Sequence, residues 1–466
     1  MQKAIILAVS FSALTLQATE WQFEWKPAPN EIAIPKATIC PLKYGKTWAY
    51  SLEIDDGPSC TLTVAEPMLR EFEYTDAPPG VSGGKPMPFV GNSAVMMIRV
   101  TDANSTFLSW DKLADLEHKG WRVANHSFWH SGIHWDESKK NTPEQFRREL
   151  YWSQSLLAAC LLNGRGETHF VYPNGDYNYR PYLKEFGLLS ASRVGGSCAN
   201  LRGDAKSLED LSRGHLDEMV WSKNADPMMS FPASGPADGD IVIDLTHGMD
   251  SDPNSPNLKR WRERLGTIMS RYGKTGNDTV WCAPTSEITC YSLAARQAKM
   301  EVKKGSLKLT LPDTAPGSCL TVKLNGIAPS SPITPPAGGI IHRQGTTLWI
   351  TTPFLGQRGS EPPKPLIKRI YKGPAKSITL PQPVAVAGVM LLQTGSPKEG
   401  FKLHVDLISP GGKAETIVPK DKETIQAQWG AWLLLPVVPD RAPILTKEIQ
   451  ITADPSLGSM EIWAVK

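Results

Sequence analysis

The chain reads as an α/β domain followed by one or two small β-sandwich domains, and three observations carry that reading. From about residue 41 to 296, short apolar runs alternate with amphipathic stretches, as strands and helices do when they follow one another in turn. After Gln297 the helical periodicity stops and short alternating segments take over, such as Ser306-Leu-Lys-Leu-Thr-Leu and Cys319-Leu-Thr-Val-Lys-Leu, the second leading into the hairpin signal Asn325-Gly326. The length, 466 residues, exceeds one ordinary core and favours two or three domains.

In chain order, residues 1–18 set Lys3 before the apolar stretch 4–14 and end on the small Ala18. That is the layout of a secretory signal peptide, too short to span a membrane. The expectation is a secreted protein, extracellular or periplasmic, with no integral membrane segment in the mature chain. A lead-in, 19–40, precedes the α/β domain, 41–299. Within that domain 94–100, 121–124, 169–172, 241–245 and 279–282 read as strands. The stretches 110–119, 142–162, 182–186, 257–272 and 286–299 read as helices, with Pro143 suited to a first helical turn. Such alternation fits a parallel barrel or an open sheet. The Gly/Pro-rich stretch 75–92 reads as a long loop on its rim. Segment 300–354 reads as a small β domain, 355–375 as a linker rich in Pro, Gly and Lys, and 376–466 as a C-terminal β-sandwich.

The formal charge of +3 comes without a long Lys/Arg block, which argues against nucleic acid as a partner. Seven cysteines leave at least one unpaired, and with no close Cys-x-x-Cys pair a zinc ribbon is not expected. Cys160, within an apolar helical stretch, reads as a buried hydrophobe, whereas Cys282 and Cys290 flank a turn and could pair.

Four polar clusters fall where predicted strands end, the edge on which α/β barrels carry their active sites. A strand through Trp48, Tyr50, Leu52 and Ile54 must stop at Gly57-Pro58, which puts Asp55 and Asp56 on its C-terminal lip. Adjacent carboxylates repel unless a cation or a proton lies between them. Next comes Ala124-Asn-His-Ser-Phe-Trp-His, where His126 and His130 stand four apart; on one helical turn both imidazoles would project the same way and could meet one ion. His134 continues the spacing and offers a rival third ligand. The third cluster, Phe170-Val-Tyr-Pro-Asn-Gly-Asp-Tyr, closes an apolar strand with a turn. The fourth is Ile241-Val-Ile-Asp-Leu-Thr-His-Gly, in which alternation puts His247 on one face with Ile241, Ile243 and Leu245. Taken alone, a histidine at a strand end is more often a satisfied structural residue.

In this order the motifs, Asp-Asp-Gly, His-Ser-x-x-His, Tyr-Pro-x-Gly and Leu-x-His, make residues 45–296 resemble the polysaccharide deacetylase family, the carbohydrate esterases of family four with their NodB-homology domain. The resemblance implies a distorted β/α barrel. It implies that Asp55 is the catalytic base and that Asp56, His126 and His130 hold a divalent metal, with zinc the first expectation. Leu245 would line the acetyl pocket and His247 would act as the acid. Tyr172, Pro173, Asn174 and Gly175 would help bind substrate, with the Asn174 main chain a donor to the developing oxyanion. The chemistry is consistent: three protein ligands leave positions open on the metal, and an amine leaving group needs an acid most when the substrate is N-acetylated. The implied partner is an acetylated polysaccharide or oligosaccharide, from which acetyl groups would be hydrolysed.

Two departures accompany the resemblance. The third motif commonly opens on an arginine that pairs with the catalytic aspartate, but Val171-Tyr172 supplies none, so Asp55 is expected to lack a fixed cation; Arg180 is the one candidate to reach in. No Asp-x-x-Asp-Trp-like motif orients His247, leaving Asp217 and Asp226 as candidates. Phe128, Trp129, Trp135, Tyr172, Tyr177 and Tyr179 could stack on sugar rings or simply pack. The alternative to an enzyme is a catalytically silent carbohydrate-binding protein that keeps the fold.

Overall fold

The computed structural model describes residues 18–466 apart from 30–32, 103–104, 131–140, 162–163, 196–197, 201–207, 218–225, 227, 230, 233, 336, 395–402, 418–430 and 453–456. His134, Trp135 and almost all of the expected signal peptide lie outside the described residues.

Seven parallel strands close into a barrel among the described residues. Trp48–Ile54 pairs on one side with Asn92–Val95 and on the other with Asp240–Thr246. The ring continues through Arg122–Asn125, His169–Val171, Ser190–Val194 and Leu211–His215, which returns to Asp240–Thr246. Every residue of Trp48–Ile54 and of Asp240–Thr246 is buried, as expected of strands covered on both faces. Helices Trp110–His118 and Pro143–Cys160 occupy connections between barrel strands, and Pro256–Tyr272 and Thr285–Gln297 follow the last of those strands. Pro143–Cys160 begins with a full capping box, Thr142 accepting from the Gln145 N–H while Gln145 caps Thr142 in return.

Two local expectations change. The apolar run 94–100 is a strand only to Val95; Met97–Arg99 is a tight turn whose first two amides bond outward, Met97 to the Ser127 carbonyl and Ile98 to that of Phe128. The short helix expected at 182–186 belongs to a longer run, Tyr177–Phe186, wound tightly around Pro181. Cys282 and Cys290 are both free thiols, each buried in the barrel's packing rather than joined.

The β-rich part is tied to both ends of the chain. Thr19–Glu24 pairs with Ser306–Leu311, and Lys36–Ile39 with Thr321–Asn325, so the lead-in adds a strand to each of the two sheets between 299 and 351. Ile367–Pro374, inside the expected linker, pairs along Leu457–Val465 and so joins the C-terminal antiparallel sheet. That sheet is organised by the long strand Ile378–Gln393, which pairs with Ala431–Pro436, Ile444–Thr452 and Leu457–Val465. It leans on the barrel through Pro143–Cys160: Trp152 donates its indole N–H to the Val438 carbonyl at 2.7 Å, and Arg148 pairs with Asp440 at 2.7 Å.

Candidate active site

The C-terminal lips of four barrel strands bring the motif residues together. After Trp48–Ile54 the chain turns at once into the left-handed region, with φ of 72° at Asp56 and 70° at Gly57. Aspartate tolerates that region better than most residues. At Gly57 a Cβ would also come 3.3 Å from Val95 Cγ2. The turn separates the two carboxylates: Asp55, 3% exposed, faces an arginine, while Asp56 faces two histidines.

His126 and His130 follow Arg122–Asn125, but no helical turn aligns them. A loop does so, with φ of 66° at Ser127 and 61° at His130. The Ser127 amide donates to Asn125 Oδ1 at 2.9 Å and the His130 amide to Ser127 Oγ at 2.9 Å. His126 Nδ1 lies 2.8 Å from the Val171 carbonyl oxygen, which can only accept, so the ring proton sits on Nδ1 and the Nε2 lone pair is free. That Nε2 is 3.6 Å from Asp56 Oδ1, and His130 Nε2 is 3.5 Å from the same oxygen. Asp56 Oδ1 and His126 Nε2 are both buried without a hydrogen-bond partner. Buried acceptors facing each other with no donor are unfavourable, and a cation between them removes the conflict. The three ligand atoms lie within 4.8 Å of one another, so Asp56, His126 and His130 fit a divalent ion of the kind that takes nitrogen and oxygen donors. Burial, with His126 alongside, pushes the His130 pKa down to about 3 against the pull of Asp56, leaving the imidazole in its neutral, ligating form.

The missing arginine is present, from another strand. Arg213 in Leu211–His215 is 1% exposed, and its Nη1 donates to Asp55 Oδ1 at 2.8 Å and to Glu53 Oε2 at 3.0 Å. The expectation of an uncompensated Asp55 is therefore wrong, and Arg180 is not the substitute: it pairs at the surface with Glu209, 3.5 Å away. Glu53 is itself held by Ser192 Oγ at 2.8 Å, Thr285 Oγ1 at 2.5 Å and His169 Nε2 at 3.0 Å. Burial works against the Glu53 carboxylate, but His169 and Arg213 outweigh it and lower its pKa to about 2.

Of the two candidates to orient His247, Asp217 does so. Its Oδ2 lies 2.6 Å from His247 Nδ1, and its Oδ1 accepts the His247 amide at 2.8 Å. Asp226 is exposed and caps the turn at Met228. The hydrogen bond to Asp217, opposed by partial burial and helped by Asp55, raises the His247 pKa to about 9.

The third motif departs most from its expectation. Pro173–Gly175 forms a tight turn with Asn174 exposed and at φ 49°. Tyr172 does not line an open surface: it is 1% exposed, donates its hydroxyl to the Glu209 carbonyl at 2.9 Å and packs against Phe170. Leu245 is fully buried as well. Phe128, Trp129 and Tyr179 are packing residues, whereas Tyr177 stays exposed beneath Arg193.

Arg213, Glu53, His169 and His215 were not among the sequence candidates. Period two would have found the arginine: Arg213, His215 and Asp217 alternate along one strand and its extension, just as Glu53 and Asp55 do on theirs.

A parallel barrel with its polar side chains gathered at the C-terminal rim defines an α/β-barrel protein with a rim-borne site. Residues 46–189, which include the first four strands of the barrel, match the family model described as polysaccharide deacetylase, so this part of the barrel is similar to polysaccharide deacetylases of the NodB-homology kind. A solved structure of the Streptococcus pyogenes deacetylase PplD in complex with acetate is similar over 35% of this chain and 62% of that one, at 16% identity and a TM-score of 0.28. A Bacteroides thetaiotaomicron structure described as an alpha-L-fucosidase is similar over 95% of this chain and 100% of that one, at 8% identity and a TM-score of 0.25. A search of curated proteins found no match.

Proposed function

We propose that the protein is a secreted, zinc-dependent deacetylase that removes N-acetyl groups from a carbohydrate polymer or oligomer. The observation that supports this most is the pair of orphaned buried acceptors, Asp56 Oδ1 and His126 Nε2, beside His130 and flanked by Asp55 and His247. Asp56, His126 and His130 would hold the ion, which when bound supplies Lewis acidity to the acetyl carbonyl and acidifies a water. Asp55 accepts the proton of the attacking water. Arg213 occupies Asp55 Oδ1 and fixes the carboxylate's orientation, which leaves Oδ2 to act as the base. His247, kept protonated at neutral pH by Asp217, donates to the departing nitrogen. That proton favours an amide over an ester substrate, because an amine is by far the poorer leaving group. The Val171 carbonyl on His126 Nδ1 fixes the tautomer that frees Nε2.

The test is acetate release from a panel of N- and O-acetylated polysaccharides, with the protein stripped by chelator and then reloaded with zinc or cobalt. Metal-dependent release, greatest from N-acetylated chains, is expected. No release from any member by the metal-loaded protein would favour a silent carbohydrate-binding protein.

A further inference from the structure

A second set of ligand-type atoms converges where Leu211–His215 and Asp240–Thr246 end. His215 Nε2 lies 2.5 Å, and His247 Nδ1 2.6 Å, from the same oxygen, Asp217 Oδ2. The other oxygen, Oδ1, is committed to the His247 amide at 2.8 Å and the Thr246 hydroxyl at 3.1 Å. The carboxylate is thus fixed with Oδ2 alone turned towards two imidazoles whose ring centroids are 5.7 Å apart. One carboxylate on one histidine suffices to orient an acid; a second histidine on the same oxygen is not explained by that task. The cluster is open to solvent, with side-chain exposures of 37% for His215, 24% for Asp217 and 46% for His247. A cavity of about 710 Å³, lined by Ser59, Cys60 and Met249 among others, reaches Asp217 and His247.

We propose that His215, Asp217 and His247 form a second, weaker divalent-metal site for an ion of the zinc class, and that filling it switches off proton donation by His247. The switch rests on the reading of His247 as the acid; the binding site does not. Two imidazoles and one carboxylate suit zinc, cobalt or nickel better than magnesium or calcium. Binding exchanges two N–H···O hydrogen bonds for two nitrogen–metal bonds. Each ring gives the metal the lone pair of that nitrogen, and the proton it carried passes to solvent or to the other ring nitrogen. The ligand atoms must spread from hydrogen-bond distances to about 3 Å apart around bonds of about 2.0–2.2 Å. Exposure of both rings permits that movement. The site is the weaker of the two because its atoms already satisfy one another, whereas the Asp56 cluster holds orphaned acceptors. A neutral imidazole bound through Nδ1 keeps only an Nε2–H, a far weaker acid than imidazolium, and cannot serve an amine leaving group.

The full chain would be equilibrated with rising zinc, freed of unbound ion, and assayed for zinc per chain and for acetate release. Wild type should take up one equivalent and then a second. His126→Ala should lose the first and keep the second, and His215→Asn should do the reverse. Acetate release by wild type should fall at least roughly tenfold as the second equivalent fills, while the rate of His215→Asn, whatever its starting value, should not respond to the same excess. Saturation of wild type at one equivalent, or two equivalents in His215→Asn, overturns the site. A second equivalent that fills without slowing release overturns the switch. If no state releases acetate, the zinc counts still decide the site independently of the proposed activity.

Discussion

Arg213 decides how Asp55 can work, because its guanidinium is buried against the Glu53 and Asp55 carboxylates. Replacing it with Met leaves the buried Asp55 carboxylate without this cation and Glu53 with His169 and two hydroxyls, and should destabilise the fold by about 3–5 kcal/mol, read by denaturant unfolding. An unchanged unfolding midpoint would mean the ion pair carries no weight. At His247 the sign of the pH effect is set by a raised pKa. The proton is held up to about pH 9 and lost above it, so the pairing's contribution to stability, like the acid function, is present at low pH and fades as pH rises through about 9. Asp217→Asn removes the main cause of that shift, and the alkaline limb of kcat/KM should move towards the ordinary imidazole range, about 6.5. A limb that stays put would assign it to another group. The aspartates and histidines were legible because motif order and spacing survive in one dimension. Arg213 was not, since it meets Asp55 only once the strand Leu211–His215 has taken its place in the barrel.

At the scale of elements, function sits on short loops braced by their neighbours. The His126–His130 loop depends on Met97 and Ile98 amides from the next strand's exit, on Asn125 and on Glu149, which accepts the Trp129 amide at 3.3 Å. Burial pushes the Glu149 pKa up to about 7, against hydrogen bonds from Tyr179 and Trp129 that favour its charge. Among the described residues, four of the six non-glycine residues with positive φ, Asp56, Ser127, His130 and Asn174, lie on these loops, where such conformations persist only under surrounding constraint. Strand and helix positions could be read from periodicity, but these turns could not, because a four-residue histidine spacing suits a helix equally well. Contact between elements is as tight on the far side of Pro143–Cys160. A Cβ on Gly388 would stand 2.7 Å from the Trp152 ring, so Gly388→Ala should destabilise by about 1–3 kcal/mol through overpacking, measured as a lowered Tm. A Tm equal to wild type would show that the ring yields freely.

Across the whole molecule one core runs from the barrel into the β-rich part. Trp48 and Trp281 of the barrel share a hydrophobic cluster with Phe23 of the lead-in, Leu309 and Val322 of the middle sheets, and Trp432 and Trp463 of the C-terminal sheet. Composition showed where helices stop, but not that residues 19–40 and 367–374 return to pair with distant strands, since pairing partners leave no local trace. A chain ended after Lys299 carries every motif residue yet exposes that core, and should lack the cooperative thermal unfolding of the full chain. A sharp transition in the shortened protein would show the barrel to be self-sufficient. The central claim, that Asp55 is the base beside a metal held by Asp56, His126 and His130, is tested most directly by acetate release from zinc-loaded Asp55→Asn with N-acetylated oligosaccharide. The account predicts full zinc content and a rate lower by about 10²–10⁴-fold; a rate near wild type with zinc in place would contradict it.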